Sequence, residues 1–456
     1  MTAVKGIAMT NLFGRHAIVV GAGIGGLTAA KALSSCFVNV TVLERDDLPA
    51  APIVRTGTPQ ARQIHVLLRG GLDALMEFFP EFETELERAG AVRVRVGSES
   101  LLEMPGFDPF PRRDLGFDYL CMTRPLVEFV ARRFVERQSN IALRSRCRVT
   151  QLVESPNRNA VTGVRYDEAN GRSNELAADF IVDASSRGAL TLELLDRVGL
   201  LRPQETEIGI DLRYATAMFE IPPSAPCDWR AVLHRPAAQS GRGGLLVPVE
   251  NNCWQVNLTS MHGQLVPESV REFIAFAKTL RTRTIHDAIK DAVPIGPIHR
   301  FGFPGSIRRH FEGLDSFPDR LLPLGDVICR FNPAFGQGMS VAAQEVGVLK
   351  RLIEARAPDA DPLKGLAQSF FAAIQDFLAA PWAVTESDFI YEKTRGQRPN
   401  DFHQRLKLNL ALQRVASEDA TVHQIMSEVT HLVKRSSALR DPQIVSRVTT
   451  LMSASA

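Results

Sequence analysis

The sequence predicts an α/β protein. A Rossmann-like dinucleotide-binding unit is interleaved with a mixed β-sheet domain and followed by a helical C-terminal region. Three observations carry this. A β-branched run near the N-terminus ends in a glycine turn and a helix. A second glycine-rich loop opens another helix late in the chain. Between these two points the apolar spacing has period two, and after them it becomes helical.

The first element is His16–Val20, a short apolar run suited to a buried parallel strand. It passes through Gly21-Ala22-Gly23-Ile24-Gly25-Gly26 into a helical run ending at Leu33. A second strand, Val38–Leu43, ends at Glu44-Arg45. Gly21 permits the tight turn, Gly23 lets the backbone approach a pyrophosphate, and Gly26 lets the helix pack on the strand. The helix N-terminus presents free N–H groups to phosphate. Glu44 stands where a carboxylate accepts ribose hydroxyls. The motif is compatible with FAD or NAD.

Composition excludes several classes. Fifty-three Lys and Arg against fifty-one Asp and Glu leave a net charge of +2, so no basic surface argues for nucleic acid. No apolar run is long enough for an integral membrane segment or a signal peptide, which points to a cytoplasmic protein. Six cysteines, at 36, 121, 147, 227, 253 and 329, show no CxxC or zinc spacing, so reduced thiols and no metal are expected.

The second loop reads Gly325-Asp326, then Phe331-Asn-Pro333-Ala-Phe-Gly336-Gln337-Gly338-Met339, then a helix to Leu349. Over roughly residues 15 to 355 the chain resembles the group A flavin-dependent monooxygenases of the p-hydroxybenzoate hydroxylase fold. In that family the first glycine motif holds the ADP half of FAD. The GD motif holds the ribityl and pyrophosphate, and the P-x-x-G-Q-G loop lies along the isoalloxazine. Arg124, in Thr123-Arg-Pro-Leu-Val-Glu128, matches a family arginine that reaches FAD. Val149 falls where the family places a backbone contact to adenine. The resemblance therefore implies FAD contacts from Gly21, Ala22, Gly23, Ile24, Gly25, Gly26, Glu44, Arg45, Arg124, Val149, Asp326, Pro333, Gly336, Gln337, Gly338 and Met339.

It also implies an organisation: a discontinuous FAD-binding domain at 1–75, 115–188 and 318–355, a substrate domain at 76–114 and 189–317, and a helical region at 356–456. Period-2 stretches at 208–219 and 253–258 suit a sheet that roofs the substrate cavity. Tyr214 and Met218 share a strand face and are pocket candidates, with core packing as the alternative. Phe107 and Phe110, in the Pro- and Phe-rich stretch 101–119, are candidates for an apolar entrance wall or anchors of their own loop. Pro381-Trp382 reads as a break between C-terminal helices, which pack on the cofactor domain or form a lid or dimer face.

Two features mark a branch. The segment Asp183-Ala-Ser-Ser-Arg-Gly188 lacks the family's Asp-Gly pair linked to NAD(P)H binding. It is similar to a form seen in polyether epoxidases and approaches those of prenyl reductases and flavin halogenases. The stretch Gly57-Thr-Pro59-Gln60 to His65-Val-Leu-Leu68 also resembles the epoxidase branch and places His65 beside the flavin or in a structural role. None of Trp229, Trp254 and Trp382 forms the halogenase W-x-W-x-I-P motif.

The resemblance implies a flavin C4a-hydroperoxide that delivers one oxygen atom from O₂ to a small hydrophobic organic substrate. The outcome is alkene epoxidation or aromatic hydroxylation, with no general base identified. NAD(P)H or a separate flavin reductase is the candidate electron source. A reductase or dehydrogenase of a prenyl-like substrate is the alternative. A non-catalytic lipid-escort role fits poorly, because both flavin motifs are intact.

Overall fold

The computed structural model describes residues 12–454. Residues 1–11, most of the N-terminal stretch read for a signal peptide, lie outside the described residues.

Five strands form a wholly parallel sheet in the order 321–323, 180–183, 14–20, 37–43 and 141–144. Its central strands are apolar on both sides because both faces are covered. Ala17, Ile18 and Val19 are fully buried. Helices Ile24–Leu33, Arg124–Glu136 and Gly338–Arg356 pack together on one face. The antiparallel meander Cys147–Glu154, Val161–Glu168 and Ser173–Ala177 covers the other.

The second large sheet has seven strands, ordered 329–330, 294–310, 204–220, 253–260, 242–249, 231–234 and 100–103. The period-2 reading holds here and the strands run longer, Gln204–Glu220 and Pro294–His310 each spanning 17 residues. Their pairing shifts register between Gly209 and Leu212 and between Thr216 and Met218, which bends so long a ribbon. Ala215, Ala217, Phe219, Val256 and Leu258 face helices Val270–Ala277 and Thr284–Ile289 in one apolar cluster. Tyr214, Thr216 and Met218 alternate with them and so point to the opposite side, toward the parallel sheet's loops.

The C-terminal region from Leu366 onward is helical: Leu366–Glu386, Phe402–Glu418, Ala420–Thr430 and Pro442–Ala454. The expected break at Pro381 is absent, since Pro381 lies inside the first of these helices. The missing N–H costs one intrahelical bond, while Pro381 and Trp382 are buried and Trp382 joins the main core with Phe370, Phe371 and Ile374. The last three helices form a separate cluster around Ala416, Val422, Ile444 and Val448.

Phe107 and Phe110 belong to that cluster. Their rings lie 5.1 Å apart, and Phe110 meets His423 edge-on at 4.9 Å. The entrance-wall expectation is therefore corrected: these rings anchor the terminal helices, because those helices bury their apolar faces on this stretch and not on the parallel sheet. Phe110→Ala is expected to cost about 3–5 kcal/mol and to expose residues 402–454 to limited proteolysis. Retention of full stability and protease resistance would contradict the anchoring.

Candidate functional site

The loops at the carboxyl ends of the parallel strands meet in one place, where ligands of open α/β sheets bind. A surface recess of about 520 Å³ beside Leu12, Arg320 and Asp361 lies at the opposite, amino ends of the strands and takes no part.

The first glycine turn is built as its spacing predicts. Gly21 has φ +100° and donates to the Leu43 carbonyl. A Cβ on Gly26 would sit 2.0 Å from the Gly21 carbonyl oxygen, so glycine is required for helix and turn to touch. Gly23 is different: a Cβ there meets nothing nearer than an Arg124 guanidinium nitrogen at 4.0 Å. Ile24 begins the helix, which has no side-chain N-cap, so its first-turn N–H groups are open to a ligand. Gly25 closes instead against Ala342 of helix 338–356.

Glu44 ends the second strand and is almost fully buried. Its carboxylate accepts the Ala22 N–H at 2.8 Å and the Asp46 N–H at 3.0 Å. It also pairs with Arg55 at 3.0 Å. Arg55 reaches Glu128 at 2.9 Å, and Glu128 holds Arg124 at 2.7 Å. The two guanidinium groups overcome the burial that opposes ionisation and keep the Glu128 carboxyl below its ordinary range. This buried chain of alternating charge orients Arg124 toward Gly23. Arg45, by contrast, is exposed and donates to the Gly57 carbonyl at 2.9 Å. Val149 lies two residues beyond Cys147 on the same strand, and the Cys147 N–H donates to the Glu44 carbonyl at 2.8 Å.

The second loop faces the first. Asp326 sits in a single 3₁₀ turn, with Gly338 close to its carboxylate: a Cβ there would lie 3.7 Å from Oδ1. Burial pushes the Asp326 carboxyl up, and the Arg124 and Arg330 cations draw it back. Pro333–Phe335 form another 3₁₀ turn closed by Gly336 at φ +67°. Gln337 is buried at the start of helix 338–356, and its Oε1 has no hydrogen-bond partner. Met339 is buried in the core of that helix.

The segment 59–66 lies between this loop and the seven-stranded sheet. Val66 packs on Gly336, and Gln63 Oε1 accepts the Thr216 hydroxyl at 2.5 Å. His65 is half-buried, with Nδ1 2.9 Å from the Gln63 carbonyl. Burial and the neighbouring Arg124 cation push its pKa down to about 4, so it is neutral at physiological pH. Tyr214 and Met218 share a face as expected but enter different clusters, Tyr214 with Phe303 and Tyr391, Met218 with Val247 and Cys253. The buried hydroxyl of Tyr214 has no acceptor for its proton, and the side-chain oxygens of Gln255 and Asn257 are buried on this face without partners.

The residues fit a dinucleotide: the glycine cradle is open at Gly23 alone, two uncapped helix N-termini adjoin it, and Arg124 and Asp326 face the same gap. The comparisons decide its identity. Residues 15–361 match the family model described as FAD binding domain. The chain belongs to this FAD-binding family. Its cofactor is FAD, and the kinship with flavin-dependent monooxygenases of the p-hydroxybenzoate hydroxylase type holds. It is 32% identical over 355 residues to Protein Rv3254 of Mycobacterium tuberculosis, covering 75% of this chain and 73% of that protein. The fold is that of p-nitrophenol 4-monooxygenase PnpA from Pseudomonas putida (TM-score 0.64, 16% identity, 92% of this chain and 99% of that one). It is also that of the flavin-dependent brominase Bmp2 (TM-score 0.65, 12% identity, 92% and 94%). Among the described residues no helix is long and apolar enough to cross a membrane, and no acidic, His or Cys cluster could hold a metal.

Sequence reasoning missed Arg55, Glu128 and Glu345. Glu345 is fully buried and accepts the Gly325 N–H at 2.7 Å. Only its position on the inner face of a helix hints at this role.

Two predictions follow from these contacts. Gly23→Ala is expected to fold with unchanged thermal stability yet lose FAD affinity about tenfold or more, since the methyl enters the phosphate space. Gly26→Ala is expected to lose stability as well; flavin content and melting temperature separate the two. Burial pushes Glu345 up to about 8. Between its unfolded value of about 4.3 and 8 the folded chain keeps a proton that the unfolded chain releases, so stability falls as pH rises, by at most about 1.4 kcal/mol per unit. Glu345→Gln is expected to match the wild-type apoprotein near pH 4 and to melt higher at pH 8. A melting difference independent of pH would refute it.

Proposed function

We propose that this flavoprotein is a monooxygenase that inserts one oxygen atom of O₂ into a hydrophobic small molecule, by alkene epoxidation or aromatic hydroxylation. The observation that supports this reading is the meeting of the Pro333–Gly338 loop with one face of the seven-stranded sheet, where the side-chain oxygens of Gln255 and Asn257 are buried without partners. This junction adjoins the FAD cradle and is lined by Tyr214, Thr216, Asn257 and the 59–66 segment. When bound and reduced by an electron donor, FAD would supply the two electrons that activate O₂.

The chain's own residues bind and orient. Gly23 and the first-turn amides of helix 24–33 take the pyrophosphate, with Arg124 beside them. Glu44, fixed by Arg55, accepts ribose hydroxyls, and the chain at Val149 meets the adenine. Asp326 holds the ribityl chain, and the loop from Pro333 to Met339 lies along the flavin ring. Neutral His65 adds no cation next to that ring and acts by packing. The two sheets exclude water from the reacting atoms, which a reactive oxygen donor requires. Residues 1–75, 115–188 and 318–355 form the cofactor unit in this reading, and NAD(P)H or a separate reductase delivers the electrons.

A second reading, a reductase acting on an unsaturated substrate, is favoured by one feature. Where many relatives carry Asp-Gly, this chain has Ser185-Ser186-Arg187, and the Ser186 hydroxyl donates to Asp326 at 3.4 Å. Reduced protein is mixed with aerobic and with anaerobic buffer in the presence of alkene and phenol panels. Oxygen-dependent products carrying label from ¹⁸O₂ are expected. Equal product yield without oxygen would reverse the order of the two readings.

A further inference from the structure

The sheet face that covers the site carries a guanidinium with no carboxylate in direct contact. Arg235 follows the strand Ala231–His234 and is half-buried. Its guanidinium lies over the Phe335 ring, 5.3 Å from the centroid. Asp388 and Tyr391 are its ionisable neighbours, and among the described residues it forms no ion pair.

Tyr214 lies on the same face of the sheet, three strands across. The pairing of 242–249, 253–260 and 204–220 puts Gly243, Thr259 and Tyr214 in one row across the sheet, and Arg235 lies one residue beyond the strand paired with Gly244. Tyr214 is 3% exposed, and its hydroxyl proton has no acceptor. It faces the Ala334 backbone and Asp388. Ala334 and Phe335 are consecutive residues of the flavin-side loop, so Arg235 and Tyr214 address the same stretch of it. Asp388 is committed elsewhere: it accepts the Asn332 side-chain amide at 2.8 Å and so fixes the start of the loop. Burial pushes its carboxyl up to about 7, which limits its repulsion of a nearby anion.

A half-buried guanidinium loses hydration that a ring face recovers only in part. An anion recovers far more. The planar fork of arginine matches two coplanar oxygens, and a buried phenol without an acceptor is a second donor waiting for the same group. We propose that Arg235 and Tyr214 form the anion-binding end of the substrate site. The substrate then carries a planar two-oxygen anion, a carboxylate or the enolate of a 1,3-dicarbonyl. This rests on the reading that the junction of loop and sheet takes the organic substrate.

The test is calorimetric titration, at a pH where both acids are ionised, of the FAD-loaded protein with 2-naphthoate, benzoyltrifluoroacetone and 2-naphthamide. At least one anion is expected to bind, with the neutral amide much weaker, and the better anion distinguishes carboxylate from enolate. Arg235→Gln is expected to weaken that anion about thirtyfold or more while flavin content stays the same. Tyr214→Phe should weaken it less. If Arg235→Gln does not fold, Arg235→Lys, which keeps the charge and loses the fork, is read in the same titration and should bind several-fold more weakly than wild type. Binding of neither anion, equal affinity for the amide, or unchanged affinity in the arginine variants overturns the proposal. Because binding needs neither oxygen nor turnover, this failure is distinct from failure of the monooxygenase reading.

Discussion

The site depends on one buried run of alternating charge, Glu44–Arg55–Glu128–Arg124. Its members come from a strand end, the segment leading to 59–66, and the helix 124–136. Removing four charges from water is costly unless each is paired on both sides, and here the two inner members are. The arrangement tolerates little displacement, because moving any one group leaves another buried and unpaired. It therefore ties three separate pieces of chain to one geometry and presents Arg124 to the glycine cradle. The same carboxylate that anchors the chain, Glu44, also closes on the Ala22 amide, so the phosphate cradle and the charge network are one unit.

A second constraint acts from the other side of the gap. The loop Pro333–Gly338 is held at both ends by buried polar groups. Asn332 is bonded to Asp388 at its start, and Glu345 is bonded to Gly325 just upstream. Neither carboxyl has a cation in direct contact, and burial raises both. The loop is thus positioned by neutral or weakly charged acids, while the ADP side is positioned by full ion pairs. The difference suits the two halves of the cofactor: phosphates need fixed positive charge nearby, and the ring and substrate side needs a dry, weakly charged wall.

Much of the cofactor side was legible in the sequence because it is local. Gly21, Gly23 and Gly26 answer to turn geometry and to helix–strand packing within one βαβ unit, and Gly336 to a left-handed turn. Arg45 shows the limit of such reading. It follows Glu44 directly, yet it points to solvent, because alternation along a strand sends neighbouring residues to opposite sides. Phe107 and Phe110 show another. Their composition and loop setting suit a pocket wall equally well, and only the docking of helices 402–454 onto them decides that they are anchors.

The sequence by itself determined the parallel α/β unit and the two glycine loops, since each follows from spacing along a single segment, and the resemblance carried by the two loops together implied the FAD-binding family. Tertiary structure alone decided what Arg55, Glu128, Arg235 and Asp388 touch. Apart from the helical pair Arg124–Glu128, their partners lie about ten to a hundred residues away, and no periodicity records such a distance. It also decided which face of the long strand 204–220 meets the cofactor loop. Period two divides a strand into two faces, but only the packing of helices 270–277 and 284–289 on one of them leaves Tyr214 facing the other side.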